Sequence, residues 1–335
     1  MACQRPCAPL TVRPYQLLCA VCSLGGGGDD VPFAETIAAI LAEVKEHPDM
    51  PLTIACNAGD VYVYQDPGIA EDTPEGADFN RKRDLDILQR MNWPPGVTLP
   101  ARTALLYLRA MIPTVEGLCG YDEETSEAWR GCPRAHSGAY ERGHALGIEA
   151  IIPPRSEEEM SAEKEASIAA LEAAEEVPIR PHILLCAVCQ YGQGARPPFK
   201  ADNLPELMQI ILHRSPDLRI RMARQADWMM CAPCPARVPG LNACANTLGS
   251  GGLSNEKRDL DMLQVLGLEF GSVMPARDLF RLIFERIHTT QDICAREGSC
   301  STSVWWDGCG EKNVTEGNEG YAKGRAEIMD HFGWE

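Results

Sequence analysis

Cysteine spacing sets the chemistry open to this sequence. In the C-terminal half, Cys186-Ala-Val-Cys189 is followed by Cys231-Ala-Pro-Cys234-Pro235, by Cys244, and then by Cys294, Cys300 and Cys309. Two thiols separated by two residues can turn both sulfurs toward one ion or cluster. Two such pairs, with Cys244 close behind, point to a metal centre held by thiolates. Pro233 and Pro235 break regular structure around Cys231 and Cys234, which predicts an irregular loop able to wrap such a centre. The proline after Cys234 is similar to the Cys-Pro ending of bacterial ferredoxin loops and favours an iron-sulfur cluster. Zinc stays as the alternative, as the stabiliser of a binding or scaffold module, because thiolate zinc sites use the same spacings. A cluster with four cysteine ligands normally transfers electrons, whereas an iron lacking one can act as a Lewis acid on a substrate.

A second pattern competes for one of these residues. RPYQLLCAVC from Arg13 returns as RPHILLCAVC from Arg180, KRDLDILQ from Lys82 as KRDLDMLQ from Lys257, and LPARTALLYL from Leu99 as MPARDLFRLI from Met274. The constant order predicts two copies of one small domain, residues 1–155 and 179–335, joined by an acidic helical linker over 156–178. Cys19, Cys22, Cys119 and Cys132 of the first copy match Cys186, Cys189, Cys294 and Cys309 of the second. The tails correspond as well, with Tyr140, Gly143 and His144 facing Tyr321, Gly324 and Arg325. This shared quartet suits a tetrahedral zinc site, and both it and the Cys231 and Cys234 set claim Cys186. Aligned through Asp60 and Asp227, the first copy has Tyr64 and Pro67 where the second has Cys231 and Cys234. The first copy is therefore expected to have lost the loop site or to bind something else.

RPHILLC at Arg180, MCAPCPAR at Met230, Cys244 and RDLDMLQVLGLEFG at Arg258 make the second copy resemble the domain-of-unknown-function family 1284, a bacterial and archaeal family linked with iron-sulfur binding. The resemblance covers most of that copy, up to about Ile287, and leaves the first copy as a degenerate one. It implies Cys186, Cys231, Cys234 and Cys244 as the ligands of a [4Fe-4S] centre. It implies no reaction.

The elements that must position these thiols are short. LLCAVC is apolar and followed by glycines, which predicts a buried strand ending in a loop, and in a strand residues three apart face opposite ways, so only one cysteine of that pair would ligate. Residues 33–46 carry Ile37, Ile40, Leu41 and Val44 at helical spacing, and the KRDLD and PAR segments read as helices. LTIACNAGDVYVY and LRIRMARQADWMM are further strand candidates. The expected class is α/β or α+β. His182, which replaces Tyr15 in the repeated decapeptide, is either a group acting on a cluster sulfur or a substrate, or a satisfied core histidine. Trp305, Trp306 and Asp307 either wall a pocket beside Cys309 or simply pack. Gly25 to Gly28, and more weakly Gly192 and Gly194, follow no dinucleotide or phosphate-loop spacing and read as a flexible turn.

A formal charge of -17, from 48 acidic against 31 basic residues, opposes binding to nucleic acid or to anionic lipid. No apolar run is long enough to span a bilayer and no export signal is legible. Fifteen cysteines in a chain expected in the reducing cytoplasm call for metal rather than disulfides. The expected partner is a redox protein or a larger enzyme complex.

Overall fold

The computed structural model describes residues 9–27, 34–56, 77–246, 251–294 and 311–334. It divides into two units, Met1–Pro154 and Arg155–Glu335. In the first, strand β1 (Leu10–Val12) runs into Arg13-Pro14, and the proline opens helix α1 (Pro14–Cys22). Proline suits the first helical position, where its missing N–H has no partner to lose. Helix α2 (Ala34–Glu46) then leads to β2 (Pro51–Ile54), α3 (Ala77–Met91), β3 (Val97–Pro100), α4 (Ala101–Met111) and α5 (Ala139–Ala145). The sheet order is β1-β2-β3, with β1 parallel to β2 (Leu10 opposite Leu52) and β3 antiparallel to it (Leu52 opposite Leu99).

The second unit begins with helix α6 (Glu157–Glu172) and continues through β4 (Glu176–Ile179), α7 (Pro181–Gly192), α8 (Leu204–His213), β5 (Arg219–Met222) and α9 (Trp228–Cys231). After the two-residue strands β6 (Arg237–Val238) and β7 (Ala243–Cys244) come α10 (Gly251–Leu266), β8 (Val273–Pro275), α11 (Ala276–Arg286), α12 (Gln291–Cys294) and α13 (Glu311–Phe332). Its sheet, β4-β5-β8, repeats the first in order and sense. The repeated segments occupy matching elements: the Arg-Pro decapeptides form α1 and α7, KRDLD lies in α3 and α10, and the PAR segments open α4 and α11. The class is α+β.

Two expectations change here. The LLCAVC runs are helical; the expected strands at the start of LTIACNAGDVYVY and LRIRMARQADWMM are present as the central β2 and β5, and the flanking strands come from the residues just before each Arg-Pro and around each PAR. A short apolar run buried on most sides has no periodicity to separate strand from helix. The proline two residues into the motif was the signal, since it cannot sit in a central strand yet starts a helix well. The acidic segment is helical as expected, but it is no free spacer. Its Ser167 and Leu171 are buried, and it packs within the second unit against α8 and α9.

Apolar stripes hold the helices to the sheets. On α11 Ala276, Leu279, Phe280, Ile283 and Phe284 are buried, a spacing of three and four that faces one side. Glycines let other helices meet at backbone distance: a Cβ on Gly143 would collide with the Val21 carbonyl, and one on Gly324 with that of Val188. Gly25 and Gly192 sit on the other side of those crossings, against the carbonyls of Ala139 and Gly320, so these glycines serve close packing rather than a flexible turn.

A buried carboxylate fixes each cysteine-bearing helix. Arginine at the N-cap offers no oxygen to the free N–H groups of the first turn. The acceptor comes from α10, where Asp259 takes the His182 backbone N–H at 3.1 Å, His182 Nδ1 at 2.6 Å and Arg180 Nε at 2.8 Å. In the first unit Asp84 of α3 accepts from the Tyr15 backbone N–H at 3.1 Å and from Arg13 Nε at 2.7 Å. Both carboxylates are fully buried. Breaking such a pair on one side strands a buried charge, at about 3–5 kcal/mol. Asp259→Ala is therefore expected to lower the stability of the second unit, measured by urea unfolding, by about that amount. Lys257→Ala, which removes a solvent-side pair with Asp261, is expected to cost less than about 0.5 kcal/mol. Equal effects from the two variants would refute the assignment.

Candidate metal centre

Three of the expected ligands share one small structure. Asp227 caps α9 by accepting from the Met229 N–H at 2.7 Å, and α9 ends on Cys231. The chain then turns back, with the Cys234 N–H donating to the Cys231 carbonyl at 3.0 Å and the Arg237 N–H to that of Cys234 at 3.1 Å. Strand β6 returns antiparallel against β7, which sets Cys244 opposite Arg237. Burial pushes the Cys231 thiol up to about 12, and the neighbouring Cys234 and Cys244 push the same way. Burial also raises Cys234, with Cys244 and Asp202 as its acidic neighbours. The Pro-bounded loop read in the sequence is present.

Helix α6 clamps this loop, a role no sequence signal announced. Arg155, just ahead of the helix, donates to the carbonyls of Ala232 and Cys234 at 2.8 and 2.9 Å. Its other nitrogen reaches Glu163 at 3.0 Å, and Glu163 also takes Arg237 at 3.1 Å. Lys164 holds the Asp202 carbonyl and the Asn203 side chain, each at 2.7 Å, and Asn203 donates to the Met229 carbonyl at 2.6 Å. Both ends of the cysteine turn are thus tied to one helix.

Cys186 and Cys189 stand on α7, where residues three apart lie within about 60° of each other around the axis. The two share a face, contrary to the strand reading. Both are half-buried and pack against the core of the second unit. Cys189 and Cys294 are close enough to Tyr321 to add to the upward push that burial exerts on its hydroxyl. That hydroxyl donates to the Ile287 carbonyl at 2.8 Å. Cys309, Trp305, Trp306 and Asp307, like Tyr64 and Pro67 of the first copy, lie outside the described residues.

His182 is buried, and burial holds its imidazole below the usual histidine range, against the pull of Asp259. Its Nδ1 is committed to the Asp259 carboxylate at 2.6 Å. This arrangement supports the satisfied core histidine over a group acting on a substrate.

In the first unit, Cys19 and Cys22 on α1 and Cys119 and Cys132 from the segment after α4 line one cavity. The structure thus gathers the shared quartet where every member is described. Among the described residues no three His, Cys, Asp or Glu side chains close on a single metal ion. Also among them, no helix is long and apolar enough to cross a membrane. Comparisons with protein-family models, with curated proteins and with solved structures find no match to the chain.

The position of Cys231 has a direct chemical consequence. A shift from 9.0 to about 12 leaves roughly a thousandfold less thiolate at pH 8, and only the thiolate alkylates. In metal-free protein, iodoacetamide is expected to modify Cys231 at least about 100-fold more slowly in the native state than in urea. Peptide mapping by mass spectrometry reads the difference, and equal rates would show the thiol to be open.

Proposed function

We propose that the chain is a tandem pair of related domains forming an iron-sulfur protein, with a [4Fe-4S] centre in the second unit and electron transfer as its role. The observation that carries this reading is the nearness of Cys231 and Cys234, in a turn that α6 holds, to Cys244 on the adjoining two-stranded ribbon. The donor set is all sulfur, the choice of clusters and soft metals rather than of magnesium or calcium. The fourth ligand comes from α7, where Cys186 is the residue implied by the resemblance to family 1284. Four thiolates leave no open iron, which supports electron transfer over Lewis-acid catalysis. The matched sheets and matched anchoring carboxylates support the reading of two copies.

When bound, the cluster supplies a one-electron couple; the chain's own residues hold it, shield it and manage the thiol protons. Arg155 and Lys164 keep the turn in place, and Met230 and Ala232 at its base are buried. The thiols of Cys231 and Cys234, raised by burial, are protonated at neutral pH until iron displaces the protons. Ligation therefore releases protons, and apparent iron affinity is expected to rise with pH by up to about tenfold per unit per thiol ionised. The partner is a redox protein or enzyme complex, and the acidic surface argues for a basic docking face on it.

Anaerobic reconstitution with ferrous iron and sulfide tests the proposal. Cys231→Ser or Cys234→Ser is expected to remove one cluster's worth of iron and sulfide, whereas Cys56→Ser leaves the full content. A colourless protein with stoichiometric zinc, or equal losses from all three changes, would contradict it. Arg155→Ala is expected to leave the fold intact and make the cluster bleach several-fold faster under iron chelation, because two charge-assisted hydrogen bonds of about 1.5–3 kcal/mol each are lost from the loop.

A further inference from the structure

We propose that the first unit holds an iron-sulfur cluster of its own, ligated by Cys19, Cys22, Cys119 and Cys132. The claim does not rest on the second-unit loop, whose cysteines have no counterpart in the first.

Helix geometry comes first. Cys19 and Cys22 stand three apart on α1, on one face, and the buried carboxylate of Asp84 fixes the helix that carries them. Cys119 and Cys132 are brought together by the Cys132 N–H, which donates to the Cys119 carbonyl at 2.7 Å. The approach depends on glycine, since a Cβ on Gly131 would meet the Gly120 Cα at 2.5 Å and the Cys119 carbonyl oxygen at 2.7 Å. Cys19 borders the same cavity as Cys22, Cys119 and Cys132.

The four thiols share one cavity. Its volume is about 20 Å³, enough for a water molecule, which needs about 10–15 Å³.

Charge and shielding agree. A core of iron and sulfide held by four thiolates is a net anion, and a buried anion needs cationic partners. Two guanidiniums line this cavity, Arg83 and Arg134. Arg83 is buried, stacks over Tyr15 at 4.3 Å and over Phe79 at 5.2 Å, and donates to Asn80 at 2.8 Å. Arg134 bonds the Cys22 side chain and also donates to the Gly26 carbonyl at 3.1 Å. Leu18, Val115 and Tyr140 complete an apolar wall. On assembly each thiol loses its proton to solvent and its sulfur bonds iron; with ferrous and ferric iron and sulfide supplied together, the mixed-valence core forms without a further oxidant.

The test uses the full chain reconstituted anaerobically with ferrous and ferric iron and sulfide. Wild type is expected to take up two clusters, and Cys22→Ser/Cys132→Ser to lose about half the iron and sulfide while keeping its far-ultraviolet dichroism and the second unit's cluster. In a Cys231→Ser/Cys234→Ser background, the remaining visible absorption is expected to vanish when Cys22→Ser/Cys132→Ser is added. Iron content unchanged by Cys22→Ser/Cys132→Ser would overturn the first-unit site and leave the second-unit reading standing. Iron unchanged by Cys231→Ser/Cys234→Ser but lost with Cys22→Ser/Cys132→Ser would do the reverse. A readout free of variants guards against misfolding. In reconstituted wild type, Cys19, Cys22, Cys119 and Cys132 are expected to resist N-ethylmaleimide until the iron is chelated, and labelling at equal rates before and after chelation would refute ligation.

Discussion

The structure depends on a carboxylate buried between two helices. Asp84 and Asp259 each accept from an arginine and from a first-turn backbone N–H of the helix opposite. Each thereby does for α1 or α7 what an N-cap side chain normally does, but from a distance of some seventy residues along the chain. That contact locks the rotation and height of the one helix in each unit that carries two cysteines. A helix free to turn by a single residue would move its thiols about 100°, and no set of distant cysteines could then meet them. The geometry of the candidate centres is therefore inherited from an ion pair that touches no sulfur.

Much of this was legible in the sequence, and for physical reasons. The cysteine spacings, the prolines around Cys231 and Cys234, and the repeated KRDLD and PAR segments all lie in local patterns, and the helices and loop they predict are present. LLCAVC was misread because a run buried on most sides shows neither period, while the proline that starts the helix carried the information. The glycines after α1 were read as a flexible turn because sequence does not show what approaches them. The anchoring aspartate was visible as the repeated Asp of KRDLD, but its partners come from Arg13 and Arg180, too far along the chain for any window to join them. His182 was left open between two roles, and its Nδ1 contact with Asp259 supports the structural one.

Charges that look like surface decoration turn out to organise the sites. The acidic segment after Pro154 reads as a spacer from composition alone, yet Glu163 and Lys164 reach the cysteine turn and Ser167 anchors Asn203. Arg83 sits in a highly charged helix and is fully buried beside thiols. Its charge is balanced in part by the neighbouring buried Asp84, whose carboxyl it pulls downward against burial.

The central claim is that thiols far apart in the chain ring an inorganic core larger than one ion. X-ray absorption at the iron edge of anaerobically prepared protein tests it most directly. The account predicts a first shell of sulfur alone, with a second shell of iron around each absorbing iron. Nitrogen or oxygen in the first shell, no iron neighbour, or zinc bound in place of iron would contradict it.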